Sequence, residues 1–261
     1  MEVRWEPEGH PTNLYKFRSL DGDGAEFTRQ IVVESKLYLA SPASFNDPFD
    51  ALPNIWMKGS VRKELAYFRR LTRTYRPDLS RSERLHFAAS LMAMPREAKL
   101  RHLRAGAQET VEHMAVCSFA QSPSQVLMWS HYAKNHTGIC LRFNTAHHFF
   151  RASLPLEVKY SQVRPGYNAI NPGPPEHLVD LLLTKAIFWN YEKEWRLVET
   201  KDVGTRPFPP EALDGIYFGC RTSTEHKEMV RRWVVARGRP LELHQAVAEI
   251  DTFGLKFERV E

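Results

Sequence analysis

The sequence predicts an α+β fold in which a mixed or antiparallel central sheet is flanked by helices and carries a basic helical insertion. Short segments with alternating apolar and polar residues recur between turn residues, which is typical of half-buried strands. Over residues 58–113 the apolar spacing changes to three or four residues, which indicates helices. We therefore expect one domain over residues 1–261, with residues 58–113 as a basic helical insertion within it.

The local patterns predict the elements in chain order. Residues 13–18 alternate apolar and charged side chains, as the first strand of a half-buried sheet does. Further strands are predicted at residues 36–41, 115–120, 138–143, 156–160, 195–199 and 215–219, with two more between 241 and 260. Helices are predicted at residues 25–34, 124–133, 176–188 and 224–235, with Ser124 as an N-cap and a loop over 165–175.

Composition limits the class of protein. Hydrophobic residues make up 43 % of the 261 positions and charged residues 26 %, which is enough apolar material for a sizeable core. No segment approaches the roughly 18 unbroken apolar residues of a membrane span, and the N-terminus lacks the apolar region of a secretory signal. We therefore expect a cytoplasmic protein without membrane contact. The three cysteines form no CxxC pair, so neither a disulfide framework nor a zinc site is predicted.

The segment from Lys58 to Arg104 is strongly basic. It contains thirteen Lys and Arg residues against four Asp and Glu, and its helical spacing is broken near Pro77 and Pro95. The net charge of +5 also favours an anionic partner. Residues 58–104 therefore suggest a nucleic-acid contact, although a solvated helix face explains the same composition.

Two carboxylates, Glu192 and Glu194, stand at the entrance to a predicted strand. Residues two apart on a strand point to the same face, where two negative charges repel each other. A structure tolerates this repulsion more readily when both acids serve a site. Paired acids suit glycosidic chemistry, in which one carboxylate stabilises an oxocarbenium-like transition state and the other handles a proton. The alternative is an ordinary strand start whose charge is balanced by Lys193 and Arg196.

The helix that precedes the strand at 138–143 is the second candidate. Its end could present His131, Tyr132 or His136 to a ligand, although a single histidine is more often a core or capping residue. No third and fourth ligand stands at a suitable spacing, so no metal site is predicted.

The loop Phe45–Asp50 is the third candidate. Asn46 and Asp47 precede a proline and predict a tight turn built on side-chain hydrogen bonds. A loop that follows a strand is also where α+β enzymes commonly bind ligands.

Several enzyme classes are excluded by missing motifs. The chain has no GxxxxGK[ST] phosphate loop, no GxGxxG, no GxSxG elbow and no HExxH helix. P-loop NTPases, Rossmann dehydrogenases, α/β-hydrolases and zincins are therefore not expected.

Four blocks of sequence carry a resemblance to a known family. LYKFRSL, LYLASPASFNDPFD, MWSHYAKNHTGICLRF and KAIFWNYEKEWRLV, between Leu14 and Gly219, resemble the bacterial domain-of-unknown-function family 2971. A more distant resemblance is to ADP-ribosyltransferases, because Glu192-Lys193-Glu194 is similar to the ExE element of the arginine-modifying members.

The second resemblance implies NAD as the substrate and a transferase fold. It implies that Lys16 or Arg18 holds the pyrophosphate, that Ser41 stands on the second strand, and that Glu194 stabilises the charge on the ribose. Glu192 would then orient or deprotonate an unknown protein or nucleic-acid acceptor, and Tyr15 or Tyr132 would stack on nicotinamide.

The predicted function is therefore an NAD-dependent ADP-ribosyltransferase-like enzyme, with a role such as a toxin in bacterial conflict or phage defence. Two alternatives stay open. One is a nucleic-acid-binding or nuclease-like protein that uses the basic helices, with Asp47, Asp50 and Glu194 as metal ligands. The other is a non-catalytic interaction module. The loop residues Asn46 and Asp47, together with His131, complete the predicted ligand-binding set.

Overall fold

The computed structural model describes residues 9–52, 54–171, 180–199 and 203–261. The chain folds into two compact units. The first combines Met1–Ala40, Met114–Val158 and Phe188–Glu261, and the second combines Ser41–His113 with Lys159–Ile187. The basic helical segment 58–113 lies inside the second unit, whose apolar core also includes Ala169 and Ile170.

The first unit is built on an eight-stranded mixed sheet, which confirms the predicted α+β class. Its strands are β1 (Asn13–Arg18), β4 (Ala115–Ala120), β5 (Ile139–Asn144), β6 (Leu156–Glu157), β10 (Glu194–Glu199), β12 (Leu213–Phe218), β13 (Glu242–Ala248) and β14 (Leu255–Val260). Their order across the sheet is β14-β13-β12-β5-β1-β4-β10-β6, and all neighbours are antiparallel except β12 and β13. A separate antiparallel pair joins β2 (Lys36–Leu39) to β11 (Gly204–Pro207).

The two faces of this sheet bury different helices. One face packs its apolar side chains, such as Leu14 and Leu141, with α1 (Asp23–Glu34) and with Val230 of the last helix, Thr224–Arg237. The opposite face packs Phe17, Cys140 and Tyr217 with Met128 and Trp129 of α5 (Val126–Tyr132). Because side chains alternate along each strand, every residue of β1 belongs to one of these two environments. A short helix, α6 (His148–Ala152), follows β5, and we number the Thr224–Arg237 helix α7.

The second unit is mainly helical. It contains α2 (Val61–Tyr75), α3 (Arg81–Ala93) and α4 (Arg96–Glu112), together with two parallel strand pairs. These pairs are β3 (Asn54–Trp56) with β8 (Gly166–Asn168), and β7 (Lys159–Ser161) with β9 (Thr184–Ala186). The predicted breaks near Pro77 and Pro95 separate the three helices, because proline lacks the donor that continues a helix.

Three sequence predictions of elements need correction. The single strand predicted at 156–160 is two short strands, β6 and β7, which pair with different neighbours. The helix predicted from Ser124 begins at Val126 after Gln125, and it has no side-chain cap. The loop predicted at 165–175 includes β8, because its backbone pairs with β3.

The helix predicted at 176–188 lies partly outside the described residues, which resume at 180. Within the described part, β9 occupies Thr184–Ala186 and a 3-10 helix follows at Ile187–Glu192. No helix in the described ranges has the length and apolar character needed to cross a membrane.

Candidate functional site

Tyr15 and Glu194 stand in one row across the central sheet. Tyr15 of β1 pairs with Ala120 of β4, and Glu194 of β10 pairs with the same alanine from the other side. Residues opposite each other on neighbouring strands point to the same face. The structure therefore places Tyr15 and Glu194 on the face of the sheet that packs against α5, where Ala120 belongs to the same apolar cluster as Met128.

Glu192 reaches the same region by a different route. It is the last residue of the 3-10 helix, and the next residue, Lys193, has a left-handed φ of 43°. Glu192 is only 2 % exposed, and the Tyr132 hydroxyl donates a hydrogen bond to its Oε1 at 2.7 Å. Tyr132 is the last residue of α5, so this contact joins the end of that helix to the entrance of β10. The structure brings Tyr132 and Glu192 into direct contact.

Glu194 is held by Arg196, two residues along the same strand. The guanidinium donates from Nε to Glu194 Oε1 at 2.8 Å and from Nη2 to Oε2 at 3.0 Å. Glu194 is 4 % exposed and Arg196 is 1 % exposed, so this two-bond ion pair lies in the protein interior. Bidentate pairing fixes both the position and the plane of the carboxylate. The sequence alone suggests only that Arg196 balances the charge of the two acids. An arginine between apolar strand residues nevertheless indicates a buried partner of opposite charge.

Aromatic rings lie next to Tyr132, whose hydroxyl donates to Glu192. The ring of His131 lies 6.1 Å from that of Tyr191 and 6.3 Å from that of Tyr132. Tyr191 also contacts Trp189 at 6.0 Å between ring centres. His131 is exposed and both tyrosines are half-buried, so this group of rings is partly open to solvent. We call Tyr15, His131, Tyr132, Glu192 and Glu194 the carboxylate cluster.

The basic residues of the first strand lie on the other face of the sheet. Lys16 donates to the carbonyl oxygen of Ser118 at 3.0 Å, and its Nζ lies 5.4 Å from the centre of the Phe119 ring. Arg18 donates from Nε to the Thr28 hydroxyl of α1 at 3.4 Å. Burial lowers the pKa of the Arg18 guanidinium from its ordinary value. The structure does not bring either residue together with Glu194, because strand alternation directs them to the α1 side.

The other predicted ligand-binding residues, Ser41, Asn46 and Asp47, belong to the second unit. The Ser41 hydroxyl donates to the carbonyl oxygen of Glu112 at 2.8 Å and accepts from the Ala43 amide at 3.2 Å. This pattern is that of a cap on the short 3-10 helix at Pro42–Ser44. Asn46 is exposed.

Asp47 forms the tight turn that its sequence predicts. Its Oδ1 accepts the backbone N–H of Phe49 at 2.9 Å, while Oδ2 is buried without a hydrogen-bond partner in the described part of the chain. A cavity of about 120 Å³ next to the loop is lined by Asp47, Asp50 and Glu112 among others. Asp50 is itself buried, and its Oδ2 lies 3.6 Å from Lys185 Nζ. The loop is therefore organised by internal polar contacts.

The described residues contain no group of three His, Cys, Asp or Glu side chains that could hold a metal ion. This finding gives no support to Asp47, Asp50 and Glu194 as ligands of a nuclease metal.

The turn after α5 has a structural function. Lys134, Asn135 and His136 all have left-handed φ angles, at 46°, 55° and 69°. His136 stacks on Trp129 with ring centres 6.2 Å apart, and burial, with a smaller contribution from a nearby arginine, lowers its pKa. A Cβ on Gly138 would lie 2.2 Å from the carbonyl oxygen of Arg18, so only glycine fits there. These contacts give the half-buried His136 a structural role beside Trp129.

A polar network missed by sequence reasoning extends the row that holds Tyr15. Arg142 pairs with Tyr15 across β1 and β5, and it donates to Asp214 at 2.6 Å and to Glu242 at 2.9 Å. It also donates to the Tyr217 hydroxyl at 3.2 Å. Burial, with Tyr217 as a secondary cause, raises the pKa of Tyr15 well above its ordinary value. In the sequence, the position of Arg142 inside the apolar segment CLRF indicates a buried charge that needs partners.

Comparison with curated proteins and with solved structures finds no match. A family model does match part of the chain, and its description is "Protein of unknown function (DUF2971)". The match covers residues 128–197, which include Tyr132, Glu192 and Glu194. Over residues 128–197, just over a quarter of its length, the chain is therefore similar to this family of unknown function.

Proposed function

We propose that the first unit is an NAD-using ADP-ribosyltransferase-like enzyme, and that the carboxylate cluster is its active site. The observation that carries this proposal is a pair of buried carboxylates at the start of β10, one bonded to Tyr132 and the other on the sheet face of Tyr15. The Tyr132 hydroxyl lies 2.7 Å from Glu192 Oε1, and Glu194 shares a row and a sheet face with Tyr15. Carboxylates held in fixed positions can stabilise positive charge that develops on a sugar ring.

The chemistry divides between the two acids. When the nicotinamide–ribose bond breaks, its electron pair leaves with the nicotinamide nitrogen and positive charge develops on the ribose. Glu194 would stabilise this charge, with Arg196 fixing the orientation of the carboxylate through two hydrogen bonds. Glu192 would accept the proton that the acceptor loses as its nucleophilic atom bonds to the ribose, with the Tyr132 hydroxyl positioning that carboxylate.

The rings beside the carboxylates suit an aromatic ligand. Tyr191 and His131 are partly open to solvent, and a nicotinamide ring could stack on either of them. Lys16 and Arg18 lie on the opposite sheet face, so the proposal gives them no contact with the pyrophosphate. Besides Arg196, which is bonded to Glu194, the exposed Lys193 stands between the two carboxylates in the sequence.

The proposal is tested by following NAD consumption and the transfer of ADP-ribose, by mass, to proteins or nucleic acids of a cell extract. We expect Glu192→Gln and Glu194→Gln to lose at least a hundredfold in rate, the usual loss for a positioned acid, base or charge-stabilising group. Tyr132→Phe removes only one hydroxyl and should lose less. Glu157→Gln is the matched control, because Glu157 is an exposed carboxylate on the neighbouring strand β6.

Each variant is also checked by circular dichroism, since a buried carboxylate that loses its charge can unfold the chain. Folded Glu192→Gln and Glu194→Gln proteins that consume NAD at the wild-type rate would exclude both residues from catalysis. A wild-type protein that leaves NAD intact in every extract, but retains a stable partner on an affinity column, would instead favour the non-catalytic interaction module.

A further inference from the structure

The second unit carries a basic stripe on the outer face of α2. Arg62, Arg69 and Arg73 lie within an arc of about 40° when residues are placed 3.6 per turn. All three are exposed, and Arg70 and Lys63 are exposed beside them. We call Arg62, Arg69 and Arg73 the α2 stripe. Composition alone could not show this arrangement, because it depends on which face of the helix is buried.

The core of the unit determines which face points outward. Phe68 and Thr72 of α2 are buried, and Phe68 packs in one apolar cluster with Ala88 of α3 and Leu100 of α4. On a helix with 3.6 residues per turn, the α2 stripe lies beside the buried side, about 60–140° from Phe68 and Thr72, and its three arginines are exposed. Burial of the apolar face therefore leaves the arginines facing solvent.

The charge of the stripe is not neutralised locally. The nearby acids have other partners: Glu64 pairs with Lys99 at 2.6 Å, and Asp78 pairs with Arg76 at 2.9 Å. Glu83 accepts the backbone N–H of the residue that caps α3. Among the described residues, none of the three stripe arginines forms an ion pair. Three unpaired positive charges on one helix face require an anionic partner or solvent.

We propose that the α2 stripe binds the phosphate backbone of a nucleic-acid duplex. Arg62 and Arg73 are eleven residues apart, which corresponds to about 16 Å along the helix axis. A DNA duplex carries about ten phosphate charges over that length, so each arginine faces several acceptors. Arginine presents a planar fork of donors that matches a phosphate group. The proposal assigns the three arginines to phosphate groups, and phosphate contacts carry no sequence information, so we expect binding that is independent of base sequence.

The same stripe is poorly suited to an anionic membrane. A helix that lies in a membrane interface inserts large apolar side chains next to its basic face. In α2 the side chain of Phe68 is enclosed in the core of the unit, and the exposed Val61 and Tyr75 stand at the two ends of the helix, outside the arc of the stripe. The arc itself therefore offers charge without a large apolar side chain, which favours a nucleic acid.

The test measures the affinity of the full chain for a fluorescent 20-base-pair duplex of arbitrary sequence, by anisotropy, over a series of salt concentrations. The test variant carries Arg62→Gln, Arg69→Gln and Arg73→Gln. If each arginine contacts one phosphate, the slope of log affinity against log salt should become shallower by about 2.7. The affinity at 0.1 M salt should fall by roughly two orders of magnitude. Replacing the same three residues with lysine should preserve most of the slope, because lysine keeps the charge.

The matched control carries Arg221→Gln, Arg232→Gln and Arg259→Gln, which removes the same charge from exposed positions of the first unit. The proposal requires this control to retain nearly the wild-type slope. It is overturned if the wild-type chain does not bind the duplex, or if the two triple variants lose equal affinity. Binding to phosphatidylserine vesicles in place of the duplex also overturns it. Because NAD consumption is not measured, a failure here leaves the proposed activity of the first unit to its own test.

Discussion

The buried pair of Glu194 and Arg196 allows a sharp prediction about stability. In Arg196→Met, the side chain keeps much of its length and apolar stem but loses the guanidinium. The Glu194 carboxylate, only 4 % exposed, then loses two hydrogen bonds at 2.8 and 3.0 Å and its compensating charge. Leaving one member of a buried ion pair without its partner costs about 3–5 kcal/mol. We expect the free energy of unfolding to fall by that amount.

The double variant Glu194→Leu with Arg196→Met should recover at least half of that loss. Both charges are then absent, and apolar side chains of similar volume can replace a buried ion pair at little or no cost. The coupling energy of the double-mutant cycle should therefore exceed about 2 kcal/mol. Lys256→Met is the matched control, because Lys256 and Glu258 form an ion pair with the same two-residue spacing on β14 but are both more than half exposed. That variant should cost less than about 1 kcal/mol.

The measurement is urea denaturation followed by circular dichroism, with the transition midpoint and the slope m compared among the variants. An unchanged m shows that a lower midpoint reports stability rather than a change in the surface exposed on unfolding. If Arg196→Met and Lys256→Met cost the same, the interior position of the pair makes no energetic difference. If the double variant is less stable than Arg196→Met, the reasoning from the loss of the Arg196 charge beside a buried carboxylate is refuted.

Three further predictions concern other parts of the fold. Gly138→Ala should lower the free energy of unfolding by several kcal/mol or prevent folding, because the new Cβ would lie 2.2 Å from the Arg18 carbonyl oxygen. Gly106→Ala in α4 is the control, because its Cβ meets nothing within 4 Å. That variant should stabilise the chain by about 0.5–1 kcal/mol, measured by thermal denaturation. Asp47→Asn keeps an acceptor for its turn and removes a buried charge without a described partner, so it should be more stable than Asp47→Ala by about 1 kcal/mol in urea; equal midpoints would contradict this. Burial raises the pKa of Tyr67 to about 12. A raised pKa means that the folded state holds the Tyr67 proton more tightly than the unfolded state does. The contribution of Tyr67 to the free energy of unfolding is therefore fully present below about pH 10 and is lost as the pH rises through 12. Tyr67→Phe should flatten that part of the plot of stability against pH.

Local patterns were sufficient for most of the elements. β1 and β4 have the bounds that alternation predicts, because their apolar residues meet a core on at least one face. The alternating pattern predicts one strand at 156–160, but the structure has two, because β6 pairs with β10 and β7 pairs with β9. A local pattern carries no information about such partners. The sheet order was also beyond prediction, since it depends on pairing between segments as distant as Tyr15 and Ala120.

The candidate site was predictable only in part. The two-residue spacing singles out Glu192 and Glu194 in the sequence, but only Glu194 lies on a strand, because Glu192 ends a 3-10 helix and Lys193 between them has a left-handed φ. The same alternation rule could have separated Lys16 from Tyr15, because neighbouring strand residues face opposite ways. The contact between Tyr132 and Glu192 joins residues sixty positions apart, so only the tertiary structure reveals it.

The pairing of Tyr15 and Glu194 with Ala120, from its two sides, fixes the distance between their backbones for any molecule that touches both residues. Tyr15 and Glu194 are separated by one intervening strand, which corresponds to about 9.6 Å between their backbones. Hydrogen bonds along three strands maintain this separation, so it does not adjust to the size of a bound molecule. Selection between larger and smaller ligands would then depend on the half-buried rings of Tyr132 and Tyr191, whose rotamers can change without breaking the sheet.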